Sequence, residues 1–293
     1  MPDVWIVWSP ATEEERSANP PDPISPVVAA LKRAILSDGN GAGVSSESRI
    51  NRVELLTPTV VQSNWRSRDG LICPLTLDLP DRLSFTGRQI YHACRDLTTL
   101  RHTVTQWHYT AGDGDLWLPI AWTTRGPLYG EAIGVQKAER MGKEGAEDGE
   151  RRTGSGRKSF EPSMLNFIPH PPIQETENRE RRAETPLPIL YPPSPIPSSS
   201  STTTPPPYCQ PIHLPDRQRQ PLYQLAYRLL RSLAAPPAVY LMQFGLQEDG
   251  IQFDRLLPFP AEPAIASLGV QTPDLFTCHW RCLVGKPIHD LVI

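Results

Sequence analysis

The chain has 293 residues, 39% of them hydrophobic and seven of them Trp, which is enough to build a sizeable core in one large domain or two small ones. A formal net charge of -3 and a pI of about 6.2 exclude a strongly basic surface, so neither nucleic acid nor an anionic membrane is expected as the main partner. No apolar run approaches the roughly 18 residues that cross a bilayer, and Met1 to Pro10 lacks the basic start and long apolar stretch of a secretory signal, so no membrane partner and a cytoplasmic location are expected.

Taken in chain order, VWIVWSP (Val4 to Pro10) reads as a short buried strand. SPVVAALKRAIL then offers Ser25 as N-cap, Pro26 at the first helical position and an apolar stripe through Val28, Leu31 and Ile35. With VELLTP as a second strand, residues 1–65 are expected to form a β-α-β unit of the kind that carries a parallel sheet. The glycines of DGNGAG (Gly39, Gly41, Gly43) follow that helix instead of preceding it. They therefore cannot hold phosphate at its N-terminus, and a flexible surface loop is expected.

Residues 70–136 read as strand LICPLTLDL, a break at Pro80, a short strand around Gly87 to His92, and a helix from about Asp96 to Trp107. Asp96 is the N-cap of that helix, and Leu97, Leu100, Val104 and Trp107 share one face. Strand LWLPIAWTT and a turn into LYGEAIGV follow. Trp117, Trp122 and Tyr129 lie among alternating apolar residues with no basic stripe around them, so core packing is expected and base stacking is not.

After Gln136 the composition shifts. Residues 137–207 are first charged (KAERMGKEGAEDGERRTGSGRK) and then rich in Pro, Ser and Thr (PLPILYPPSPIPSSSSTTTPPP). Such a stretch cannot bury enough apolar area to offset its chain entropy, so it is expected to be a disordered insertion. Its one apolar island, MLNFIPHPP (Met164 to Pro172), is either a loosely packed stretch or a short docking motif, and a protein partner would engage the chain through this linker.

Residues 208–293 carry the clearest pattern. Leu222, Leu225, Ala226, Leu229, Leu230 and Leu233 stand at helical spacing, AVYLMQFGL is apolar and strand-prone, and QEDG turns into a second strand, IQFDRLL. Five cysteines (73, 94, 209, 278, 282) are odd in number and thinly spread, so reduced thiols are expected. Cys278, His279 and Cys282 cluster in TCHWRC, but Cys278 and Cys282 at i, i+4 also fit one helix face and no second cluster matches them.

The order of helix, strand, acidic turn, strand and a loop through Pro258, Phe259 and Pro260 resembles the closing part of the ATP-grasp ligase domain. An α/β (α+β) fold follows from that resemblance: an N-terminal β-α-β unit and an ATP-grasp-like body, in pieces at 70–136 and 208–293, split by the insertion. It also implies that 70–136 is the small subdomain that clamps the nucleotide. Gln243 matches the metal-ligating glutamine of members similar to carbamoyl phosphate synthetase. In the family the second strand ends Glu-x-Asn-Pro, whereas here Asp254, Arg255, Leu256 and Leu257 lead to Pro258. A one-residue offset turns the Asp254 carboxylate away from the site unless a bulge corrects it, leaving Arg255 or Arg281 as its partner.

No lysine serves the phosphates on this reading: of Lys32, Lys137, Lys143, Lys158 and Lys286, three lie in the insertion and none on the family's strand position. Arg82 and Arg88, flanking SFTG, stand in. The resemblance thus implies a non-catalytic or strongly degenerate ATP-grasp-like protein acting as a binding or scaffolding module. The alternative is a divergent ligase joining a carboxylate to an amine-type nucleophile, with ATP covered by Arg88 and Arg82 and magnesium held by Gln243 and Asp254.

Overall fold

The structure is a computed structural model that describes residues 3–9, 25–39, 50–64, 70–136, 207–248 and 250–293. Its first sheet is parallel throughout, with β1 (Asp3–Val7) between β2 (Arg52–Leu56) and β3 (Gly70–Pro74). Helix α1 (Pro26–Gly39) connects β1 to β2, and α2 (Pro58–Asn64) connects β2 to β3. The apolar run Val4 to Val7 is buried at every position, as a central parallel strand covered on both faces should be. The β-α-β unit is therefore present. It gains a third strand from LICP, which stops at Pro74 because proline has no N–H to give to a ladder. DGNGAG beyond Gly39 and the insertion with MLNFIPHPP lie outside the described residues.

Between Gly87 and His92 a strand was expected, and the structure has a helix there, α3 (Arg88–Arg95). Ile90, Tyr91 and Cys94, all buried, recur at helical spacing, and Gly87 at φ 90° turns the chain into the first turn. Next, α4 (Leu97–Thr105) starts where expected. The Asp96 carboxylate accepts the Thr99 N–H at 3.0 Å and the Thr99 hydroxyl at 2.7 Å, while Leu100 and Val104 enter the core.

The second sheet has seven strands: β4 (Thr110–Ala111), β5 (Leu116–Thr123), β6 (Gly126–Tyr129), β7 (Ala132–Val135), β8 (Tyr208–Ile212), β9 (Ala238–Gln247) and β10 (Gly250–Leu257). Their order is β4-β10-β9-β5-β7-β8 with β6 on β5, and every pairing except β10 with β4 is antiparallel. Among the described residues, β3 joins β1, and β4 to β7 join the sheet of the C-terminal hairpin.

Strand β9 is the spine of the molecule, and alternation sends its side chains into two cores. Tyr240, Met242 and Phe244 pack with Leu225 and Leu229 of α5 (Asp216–Ser232) and Val104 of α4. Val239 and Leu241 pack with Leu31 and Ile35 of α1 and with Phe276 and Trp280 of α6 (Leu275–Leu283). Both faces of the sheet are covered. The chain leaves β7 and returns on β8 at adjacent points, since Val135 pairs with Tyr208 and the Gln136 N–H donates to the Pro207 carbonyl at 2.8 Å.

Candidate functional site

Gln243 and Asp254 lie near each other on the hairpin because the ladder is irregular between them. Phe253 pairs with Phe244 and Arg255 with Gln243, so Asp254 is the extra residue of a β-bulge. The bulge does not leave the carboxylate free. Its Oδ1 accepts from Arg101 Nη2 at 2.6 Å and from Arg255 Nε at 3.3 Å, and its Oδ2 accepts the Gly114 N–H at 3.2 Å. Arg101 Nε also donates to the Asp254 carbonyl at 3.1 Å, and Nη2 reaches Asp113 at 3.1 Å. The Asp254 hydrogen bond, outweighing desolvation, holds the Arg101 pKa above its ordinary value. Arg281, the other expected partner, pairs instead with Asp38 on α1 at 2.8 Å.

The amide of Gln243 points at the same loop, with Nε2 donating to the Gly114 carbonyl. Gly114 is thus gripped at its N–H by Asp254 and at its C=O by Gln243. A β-carbon here would run into the Phe244 carbonyl, so TAGDGDL needs glycine at this position to lie flat on β9. Chemically, this is a closed polar cluster in which the carboxylate is neutralised by a guanidinium. A divalent cation approaching Asp254 would have to displace Arg101 and the Gly114 N–H. Leu257, at the family's amide position, brings no oxygen.

Arg82 and Arg88 sit elsewhere. The stretch from Arg82 to Thr86 borders a cavity of about 550 Å³ between the β3 edge, the start of β9 and the end of α6. Arg82 lines it and donates from Nη1 to the Gln62 carbonyl at 3.2 Å. Arg88 does not line it; its Nη2 donates to Asp81 at 2.9 Å, and its Nε is buried without a partner. Gln243 and Asp254 are also absent from the lining, so the four residues do not converge on one cavity.

Cys278 and Cys282 share one face of α6, as i, i+4 spacing suggests, and both are buried in the second core. Burial pushes the Cys282 and Cys73 thiols up to about 12 and raises Cys278 as well, which keeps them protonated. His279 Nδ1 accepts the Val239 N–H at 3.1 Å, its Nε2 is buried without a partner, and burial lowers its pKa to about 3. Among the described residues no group of three or more His, Cys, Asp or Glu is placed to hold a metal ion, and no helix is long and apolar enough to cross a membrane.

Sequence reasoning missed Arg101 and Gly114. Nothing local marks Arg101 as the partner of a residue 153 positions away. Gly114 carried a signal, because glycines alternating with aspartates directly before an apolar strand mark a tight approach of backbone.

No model of a known protein family matches the chain, and no curated protein matches it. Among solved structures it is similar to glycinamide-RNase-transformylase T from Mycobacterium tuberculosis, with a TM-score of 0.51 at 10% identity over 99% of this chain and 82% of that one. N5-carboxyaminoimidazole ribonucleotide synthetase from Thermotoga maritima matches with a TM-score of 0.34 at 8% identity, over 62% of this chain and 32% of that one. The first likeness and the topology together give the fold, a mixed α/β protein of ATP-grasp type.

Proposed function

We propose that this is a non-catalytic, strongly degenerate ATP-grasp-like protein that works as a binding or scaffolding module. The observation that carries the reading is the state of Asp254: the one carboxylate available on the second hairpin strand is 3% exposed and ion-paired with Arg101 at 2.6 Å. Magnesium needs several oxygen ligands in near-octahedral array. Here a fixed guanidinium occupies the approach, and the Gln243 amide spends its N–H₂ on Gly114. The residues present do not fit a magnesium nucleotide.

Under this proposal a protein partner engages residues 137–207. The chain enters and leaves that stretch at the adjacent residues Gln136 and Pro207, so a partner bound there need not disturb the sheet. Thermal denaturation tests the non-catalytic reading, since a ligand that binds only the folded state must raise its melting temperature. Millimolar ATP with magnesium is expected to leave the midpoint within about 1 °C. A rise of several degrees, lost on chelation, would restore the ligase alternative, with Gln243 and Asp254 as metal ligands and Arg88 and Arg82 over the phosphates.

A further inference from the structure

The cavity beside Arg82 is separate from the hairpin cluster, and its lining is almost evenly divided between polar and apolar surface. On the apolar side, Tyr91 meets the edge of Phe85 at 5.2 Å and is backed by Phe259, stacked on it at 6.0 Å, and Ile72, Tyr240 and Pro258 also line the space. Both tyrosine hydroxyls are already spent inside the protein: Tyr91 on the Pro74 and Pro258 carbonyls, each at 3.2 Å, and Tyr240 on the Pro236 carbonyl at 2.7 Å. Among the described residues, the polar side chains left for a ligand are the guanidinium of Arg82 and the hydroxyls of Ser84, Thr86 and Thr124.

Among the described residues no Asp or Glu lines this space. The Cys282 thiol on its wall stays neutral, because burial pushes it up to about 12. An adjoining cavity of about 190 Å³ shares Thr124, Pro237, Cys282 and Gly285 with the first, and it adds Arg125 and Lys286, the latter already paired with Asp38 at 3.0 Å. A volume of about 550 Å³ lies within the range that takes a drug-sized molecule.

We infer that this cavity binds a small amphipathic monoanion, its planar or aromatic body against Tyr91, Tyr240 and Ile72 and its carboxylate or sulfonate on Arg82. Gln243 and Asp254 do not line the space, so the site does not depend on the metal chemistry of the hairpin. A charge-assisted contact to a guanidinium supplies the preference for the anion, and contact with the aromatic and aliphatic side of the lining adds affinity.

The test uses the full chain and two fluorescent probes with similar bodies: 8-anilinonaphthalene-1-sulfonate, which is anionic, and N-phenyl-1-naphthylamine, which is neutral. Saturable one-to-one binding of both is expected, tighter for the sulfonate. Arg82→Gln should weaken the sulfonate about tenfold and change the neutral probe less than twofold. Thr86→Trp, or Ser84→Trp as a second block at an exposed position, should abolish both while near-ultraviolet circular dichroism stays unchanged. Failure of either probe to saturate, or binding that survives both tryptophan variants, overturns the site. Equal loss of both probes, or of neither, in Arg82→Gln overturns the assignment of an anionic ligand.

Discussion

Replacing Arg101 by methionine removes the cation from Asp254 while keeping a side chain long enough to cover β10. The Asp254 side chain is 3% exposed and that of Arg101 28%, so the variant strands a buried carboxylate whose former partner was partly in water. Breaking a fully buried pair from one side costs about 3–5 kcal/mol. Two terms reduce that here: the Gly114 N–H and the more distant Arg255 still serve the carboxylate, and Arg101 recovers hydration in the unfolded chain. A loss of about 2–3 kcal/mol is expected. Urea unfolding should report it as a lower midpoint at unchanged slope. In a double-mutant cycle Asp254→Asn should be less costly in the Arg101→Met background than alone, because the charge it removes is then uncompensated. A loss below about 0.5 kcal/mol in Arg101→Met would refute the idea that this pair holds the loop to the hairpin.

Four further outcomes follow from the packing. Phe244→Ala, fully buried on β9, should cost about 3–5 kcal/mol in the same assay, and a loss under about 1 kcal/mol would mean that the strand is exposed. Gly114→Ala should destabilise more than Gly126→Ala, where a β-carbon meets nothing within 4 Å and only the backbone angle is strained. Replacing residues 137–206 with a short Gly/Ser turn should leave the melting temperature nearly unchanged, because Gln136 and Pro207 are already hydrogen-bonded neighbours; loss of soluble protein would show that the stretch packs. Acid should unfold the protein partly through His279: its folded pKa of about 3 lies below the ordinary 6.5, so the unfolded chain takes up the proton first. That contribution is intact above pH 6.5 and is lost as pH falls from 6.5 toward 3, roughly 5 kcal/mol in all, and His279→Gln should flatten this window.

The acid limb also has a part from Asp38. Burial disfavours its charge, but hydrogen bonds from Arg281 and Lys286 outweigh that and hold its pKa below 3.8. Its contribution is therefore complete above about pH 4 and disappears only below, which separates it from His279 on a stability curve.

How much of this was legible in the sequence depended on how local the cause was. The β-α-β start, helix α4 with its Asp96 cap, and the β9 to β10 hairpin all follow from spacing and capping within a dozen residues, and they are where expected. Gly87 to His92 misled because a short apolar stretch fits either period, and the left-handed glycine that commits it to a helix is only seen in three dimensions. Which strands of 70–136 join the C-terminal hairpin was not legible for a different reason: strand order in a sheet is a long-range choice, and β5 pairs with β9 across more than a hundred residues. At the candidate site, the sequence showed Gln243 and Asp254 and the offset between them. It did not show the bulge at Asp254 or the arginine from α4 that neutralises it.

Isothermal titration of the intact chain with ATP and magnesium, repeated on Asp254→Asn, bears most directly on the claim that the hairpin has kept its fold and lost its metal chemistry. Because Arg101 already satisfies Asp254, the account predicts no magnesium-dependent heat in either protein at micromolar to low millimolar nucleotide. Micromolar affinity in the intact chain that requires magnesium and collapses in Asp254→Asn would contradict it.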